Sequence, residues 1–227
     1  MLAFPKLQVY TNESAVFGIS SGARFYVVNS LQALDAPQEY YIDAISLDVF
    51  LIPPVTHSGL TEAEVTVSAA RGALISMVNV HHTIFENLNL SFTRGDAVVA
   101  ENCTFIAYTN LTVKNVGLGG LYLPGGANNT VQGCSIAYSG GTGISISGGN
   151  RTTLTPAHHV IEDNVVHSFS RRCFTYTPAL NVDGVGIRAA RNEFFDAPHS
   201  AILNSGNNNI FEYNIIHHTV KQVVNDT

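Results

Sequence analysis

The chain has 227 residues, enough for one or two domains with a core that excludes water. Its charged fraction of 12% is about half the usual value, its net charge is −6, and its 11 Lys and Arg are scattered. That excludes the basic stripe a nucleic-acid partner needs. No apolar run reaches the roughly 18 residues of a membrane-spanning helix, and Met1–Tyr10, with one Lys and no long apolar stretch, does not read as a signal peptide.

In chain order, Val28–Asp35 carries an N-cap candidate followed by helix formers and predicts a short helix. After Ala36-Pro37, Glu39–Asp43 and Asp48–Ile52 alternate as a hairpin pair stopped by Pro53-Pro54. Residues 1–60 are therefore expected as a helix-plus-hairpin element packed on the first coils of a second region, residues 61–227.

That second region repeats. Thr130–Ile136, Val160–Val166, Ile187–Phe194 and Ile210–Ile216 share one form: an apolar residue, a short polar step, Asn or Cys, then an apolar strand. Ile84–Leu90 and Leu111–Val116 fit more loosely, so the turn positions are read as Asn87, Asn115, Cys134, Asn164, Asn192 and Asn214. Between them lie short alternating runs ended by glycine, which mark strands with one buried face. Leu121, Leu123, Ile144, Ile146, Leu180, Val182, Ala201 and Leu203 are expected inward, with Tyr122, Ser145, Asn181, Ile202 and Asn204 outward. Strands this short cannot stand alone, so each must bond to its equivalent in the next coil. Stacked Asn side chains would satisfy the turn backbone and tolerate the left-handed region. The fold expected is all-β, a right-handed parallel β-helix; a leucine-rich repeat is excluded by the absence of regular Leu spacing and of a helical half.

The three cysteines, Cys103, Cys134 and Cys173, are too few and scattered for a zinc site and cannot all pair internally; buried thiols are the plain reading. Seven Asn-x-Ser/Thr sequons, at Asn12, Asn89, Asn102, Asn110, Asn128, Asn150 and Asn225, lean slightly towards a secreted protein, although a chain with 20 Asn inflates such motifs for structural reasons.

Gly22–Asn29 with Leu34–Asp43, then Gly148–Ala157, Tyr176–Leu180, Gly184–Gly186, Asp196–Ile202 and Glu212–His218, resemble in order a family of secreted right-handed parallel β-helix proteins related to pectate lyases and β-helical glycoside hydrolases. The resemblance implies carbohydrate chemistry, an extracellular location and a polysaccharide or oligosaccharide partner, with no cofactor. It also implies further coils past Thr227, so that this chain is expected to be a fragment, poorly active and aggregation-prone at an open edge.

Glycosidic hydrolysis generally uses two carboxyl groups. Asp196, in Asp-Ala-Pro-His, and Asp226, which falls on the resembling family's Asp before a Gly-Ala run, form the first candidate pair, with His199 and His218 placed to tune or orient them. The plainer reading of Asp196 is a turn residue ahead of Ala-Pro. Tyr122, Ser145, Asn181 and Asn204 would give a polar strip with one ring face for a sugar chain, or else ordinary solvent-facing residues. Adjacent histidines (81-82, 158-159, 217-218) would point to opposite strand faces, which argues against a metal. A lyase would want a Lys or Arg base, for which Arg171-Arg172 lies in a long loop, and a calcium cluster, which Glu162-Asp163 would not supply if they alternate faces. The leading expectation is a monomeric glycoside hydrolase; the alternatives are a non-catalytic glycan-binding or structural β-helix, and a lyase.

Overall fold

A computed structural model describes residues 27–53 and 65–221. The chain divides into two compact units, Met1–Val65 and Thr66–Thr227.

In the first unit the expected helix is a single 3-10 turn, η1 (Leu31–Ala33), and Ser30 makes no capping bond with its side chain. Pro37 disfavours helical backbone just before it, and a helix this short has too few bonds to offset its nucleation cost. Asn29 acts as a strand surrogate instead: its Oδ1 accepts the Ile42 N–H at 2.8 Å and its Nδ2 donates to Ile42 O at 2.9 Å. The expected hairpin forms from β1 (Tyr40–Ile42) and β2 (Val49–Leu51), antiparallel, with Tyr41 opposite Phe50. At its turn Asp43 Oδ1 accepts the N–H groups of Ser46 and Ile45, and these bonds hold its carboxyl below the usual range.

The described residues of the second unit form six coils, each contributing one strand to each of three parallel sheets. The coils are β3 (Ile75–Val78), β4 (His81–Glu86), β5 (Asn89–Ser91); β6 (Val98–Glu101), β7 (Thr104–Thr109), β8 (Thr112–Lys114); β9 (Leu121–Leu123), β10 (Thr130–Gln132), β11 (Ser135–Ala137); β12 (Ile144–Gly148), β13 (Val160–Glu162), β14 (Val165–His167); β15 (Leu180–Val185), β16 (Arg188–Ala190), β17 (Glu193–Phe195); and β18 (Ile202–Asn207), β19 (Ile210–Glu212), β20 (Ile215–His217). The first strands of the coils form the first sheet, the second strands the second, and the third strands the third. A strand of three residues is stable here because its neighbours above and below supply its ladder, and its middle side chain joins a continuous core. Leu121, Ile144 and Leu180 stack in the first sheet, Val131 and Ile161 in the second, Val113, Ile136, Val166 and Phe194 in the third, all buried. Cys103 and Cys134 are buried and Cys173 is exposed, all free.

The corner between the second and third sheets is two residues in every coil. Its second residue forms the expected column: the Cys134 N–H donates to Asn164 Oδ1 (2.9 Å), Asn164 N–H to Asn192 Oδ1 (3.1 Å) and Asn192 N–H to Asn214 Oδ1 (2.9 Å). Each Asn amide also donates back to a carbonyl of the coil before it: Val131, Ile161 and Ala189 in turn, at 2.9 Å. Two corrections follow. The left-handed residue is the one before the column, namely Asn87, Asn110, Gly133, Asp163, Arg191 and Tyr213, because the ladder Asn must face inward from extended backbone to reach the next coil. Asn87 is therefore not in the column, and Asn115 lies past β8 at the next corner; the register places Leu88 and Leu111 in the column's slots. The same left-handed residue cancels the alternation of Glu162 and Asp163, which together hold Arg191 at 2.9 and 2.7 Å, so both carboxylates are engaged by arginine.

The corner between the first and second sheets has a second ladder that sequence reading missed. Ile106 N–H donates to Asn129 Oδ1 at 3.0 Å, Asn129 N–H to His159 Nδ1 at 3.1 Å, and Ile187 N–H to Asn209 Oδ1 at 2.9 Å. His159 is wholly buried, its other ring nitrogen lies 3.2 Å from Ser147 O, and burial pushes its pKa down to about 4. It is a neutral imidazole standing in for an asparagine, with Nδ1 as acceptor and Nε2–H as donor.

Candidate functional site

The third corner, which leads from the third sheet to the next coil's first sheet, is built differently. It spans residues 92–97, 115–120, 138–143, 168–179 and 196–201, twice as long in the fourth case as in the others. It opens in each coil with a left-handed residue, Phe92, Asn115, Tyr138, Ser168, Asp196 and His218. Glycines floor it: a Cβ on Gly117 would lie 2.4 Å from Arg94 O, and one on Gly140 2.1 Å from Gly117 O, so these coils approach too closely for any side chain. With no side-chain ladder filling it, this corner is where hollows form.

The first hollow, of about 580 Å³, runs from this corner onto the outward face of the first sheet; Asp96, Tyr122, Thr142, Ser145, Arg172 and Cys173 are among its lining residues. Tyr122, Ser145 and Asn181 lie in one register row on successive coils, and Asn181 Nδ2 donates to Ser145 Oγ at 3.2 Å. Tyr122 is 44% exposed and offers its ring to solvent. Asn204 does not join them. It pairs with Val182 in the inward row, its Oδ1 accepts from Asn209 Nδ2 at 2.8 Å, and Leu203 takes the outward place beside Asn181. The three successive apolar residues Ala201-Ile202-Leu203 carry no alternation to fix the register, so the strand starts one residue later than the pattern suggests, and its outward set shifts with it.

Asp96 spends Oδ1 on the Gly119 N–H at 2.7 Å, and Arg172 Nη1 reaches Gly117 O at 3.4 Å. Arg172 and Cys173 come from the long fourth corner, which Ser170 Oγ ties down through Cys173 O and Thr177 O, each at 2.7 Å. Sequence reading noted Arg172 only as a possible lyase base and missed Asp96. The available signal was glycine recurring in consecutive corners, Gly95, Gly117-Gly119 and Gly140-Gly141.

A second hollow, of about 430 Å³, lies on the other side of the fourth corner and is lined in part by Tyr138, Phe169, Arg171, Asp196, Pro198 and Lys221. The Arg171 guanidinium sits 5.9 Å from the Tyr138 ring centroid. Asp196 has φ 53°, so the turn role is real, yet its carboxylate also faces the hollow. The Lys221 ammonium hydrogen-bonds that carboxylate and holds it below its usual range, in the ionised form. An ionised carboxylate serves as base or nucleophile, not as acid.

Of the other catalytic candidates, His218 occupies the same corner position as Asp196 one coil on, and its carbonyl accepts the Ala197 N–H at 3.1 Å. Its Nδ1 lies 2.6 Å from His217 Nδ1, and His217 Nε2 lies 3.0 Å from Glu193 Oε1. His199 lines a separate hollow with Ile216 and Val220, its Nδ1 2.9 Å from Ser200 Oγ and its ring edge-on to Tyr176. Asp226 lies outside the described residues. The structure thus brings Asp196 and His218 to adjacent coils and sets His199 apart. Among the described residues no three His, Cys, Asp or Glu side chains converge to hold a metal ion, and no helix is long and apolar enough to cross a membrane.

A family model described as right handed beta helix region matches residues 64–158 and 97–224. No curated protein and no solved structure matches the chain.

Proposed function

Because this chain belongs to the right-handed β-helix region family, we propose that it is a carbohydrate-active protein holding a polysaccharide or oligosaccharide along the outward face of its first sheet. On this reading it hydrolyses a glycosidic bond at the Asp196 hollow. The observation that carries the binding half is the row Tyr122, Ser145, Asn181, which runs into a hollow holding one carboxylate and one guanidinium. Coils about 4.8 Å apart present hydroxyl, amide and ring in a line, and a sugar chain needs hydrogen-bond partners for its hydroxyls and an apolar face for its ring. Hydrolysis draws on Asp196, kept ionised beside Lys221 in a hollow walled by the fourth corner, as base or nucleophile.

A second reading, a glycan-binding β-helix without catalysis, is favoured by one feature: each of the first two hollows has a single carboxylate in its lining, Asp96 in one and Asp196 in the other. One experiment separates them. The purified chain is incubated with a panel of polysaccharides, and reducing ends, unsaturated sugar products and retention on immobilised glycan are all measured. Reducing ends without unsaturation, lost in Asp196→Asn, support hydrolysis; unsaturated products point to a lyase. Retention that Tyr122→Ala weakens, with no product of either kind, supports binding alone. If neither retention nor product occurs with any glycan, the carbohydrate reading fails.

A further inference from the structure

We propose that Asn150 is an N-glycan acceptor, the side chain of this fold that takes an oligosaccharide from a lipid-pyrophosphate donor when the chain meets the transferring enzyme. Five of the seven sequon asparagines lie among the described residues, and the fold treats them differently. Asn102 donates its amide to Asn79 Oδ1 at 2.7 Å, across one coil. Asn110 has its Oδ1 directly under Gly133, where a Cβ would come within 2.6 Å of it. Asn128 is half-buried, and Asn89 stands within a strand of the third sheet, in the row of Thr112 and Ser135.

Asn150 alone of these stands off the coil stack. Residues 149–155 are all exposed and form a bulge closed on itself by the antiparallel bridge of Asn150 to Thr155, with N–H to O distances of 2.9 and 3.1 Å. Asn150 Oδ1 accepts the N–H groups of Thr152 (2.9 Å) and Thr153 (3.2 Å), which fixes the side chain in an exposed turn. A glycan there would break no ladder bond. The bulge leaves β12 at the end opposite the 138–143 corner, about 16 Å along a five-residue strand from the first hollow, so a glycan would leave that hollow open.

In the transfer, Nδ2 forms a bond to C1 of the donor sugar, the C1–O bond to pyrophosphate breaks, the lipid pyrophosphate leaves with the electron pair, and the amide loses one proton. The Thr152 hydroxyl, two residues on, completes the acceptor motif. This inference is independent of whether the protein cleaves sugars.

The test is expression of the full chain behind a secretory leader in a eukaryotic host, with peptide mapping by mass spectrometry on protein from both cells and medium, before and after peptide N-glycanase. The expected result is a glycosylated peptide spanning Asn150 that the glycanase converts to the Asp form. Asn150→Gln and Thr152→Ala should each lose one glycan, while Thr152→Ser keeps it. Thr152→Ala retains the Asn150 turn, since that turn uses only the backbone N–H of residue 152, so loss of the glycan there cannot be put down to misfolding. Retention of the chain on immobilised polysaccharide should be the same for Asn150→Gln and the unaltered chain. An unmodified Asn150 peptide in folded protein that has entered the secretory route overturns the proposal, as does persistence of the same glycan in Thr152→Ala.

Discussion

His159 gives the fold a pH dependence that can be worked out from its place in the ladder. Its ring is wholly buried, accepts the Asn129 N–H and lies within bonding distance of Ser147 O, and its pKa is lowered from 6.5 to about 4. The folded state therefore takes up its proton later than the unfolded chain as pH falls. Stability is at its full value above about pH 6.5 and is lost as pH drops towards 4, since only the unfolded form gains by protonation in that window. The difference of roughly 2.5 pH units, at about 1.4 kcal/mol each, makes the loss about 3 kcal/mol. The carboxylates with lowered values, Asp163 and Asp196 among them, lose their contributions below the usual carboxylate range, so the two effects separate on the pH axis. Urea denaturation followed by far-ultraviolet circular dichroism at half-unit steps from pH 8 to 4 reads the slope. His159→Asn, which places at this position the residue that Asn129 and Asn209 already supply, should flatten the curve between 6.5 and 4. An identical slope in that variant would refute the assignment of a neutral imidazole to the ladder.

Other substitutions probe the coil stack by the same denaturation assay. Tyr108→Phe should stabilise, or leave unchanged, by up to about 1 kcal/mol, because Tyr108 Oη is buried with no hydrogen-bond partner among the described atoms; a loss above 1 kcal/mol would reveal a partner. Asn192→Ala strips the acceptor from the Asn164 N–H and the donor from Ile161 O, and should cost about 2–5 kcal/mol. Asn87→Ala, at a corner where the column holds Leu88, should cost under about 2 kcal/mol, and equal costs would undo the column's reassignment. Gly184→Ala sets a Cβ 2.2 Å from Gly148 O and should leave little folded protein at room temperature.

How much of this was legible depended on which residues carried periodic signal. The column Cys134, Asn164, Asn192, Asn214 was readable because a two-residue corner leaves no room for length variation, and only a side chain that can both accept and donate fits three coils running. Its upper continuation was misread at Asn87 and Asn115, since Leu88 and Leu111 fill the same slot with apolar contact and leave no polar mark. The first-sheet strip was readable where Tyr122, Ser145 and Asn181 alternate with large apolar residues, and failed at Asn204, where three apolar residues in a row made two registers equally plausible. His159 was hidden because a histidine beside another histidine gives no sign of which is inside. Asp96 was hidden for a different reason: the corner that presents it has no ladder, so its residues are constrained only by the coil above and below.

That last contrast bears on where function can reside. Two of the three corners carry side-chain ladders, and a ladder residue is fixed twice over, by the coil it accepts from and the coil it donates to. A change there must be matched in the neighbouring coil, so the ladder positions themselves resist new chemistry. The third corner has no continuous ladder, only close backbone approaches at Gly117 and Gly140 and single links such as Asp96 to Gly119, and its length varies from six residues to twelve without disturbing the strands on either side. It can therefore accept an insertion such as 168–179, which walls two hollows and brings Arg171 to one and Arg172 to the other. Asp196 and His218 open this corner in successive coils at the left-handed position, where the backbone turns and the side chain is directed away from the core. Loops set on a rigid scaffold are where binding and catalytic groups gather, and the two longest corners among the described coils are 168–179, at the corner without a ladder, and 149–159, at the first.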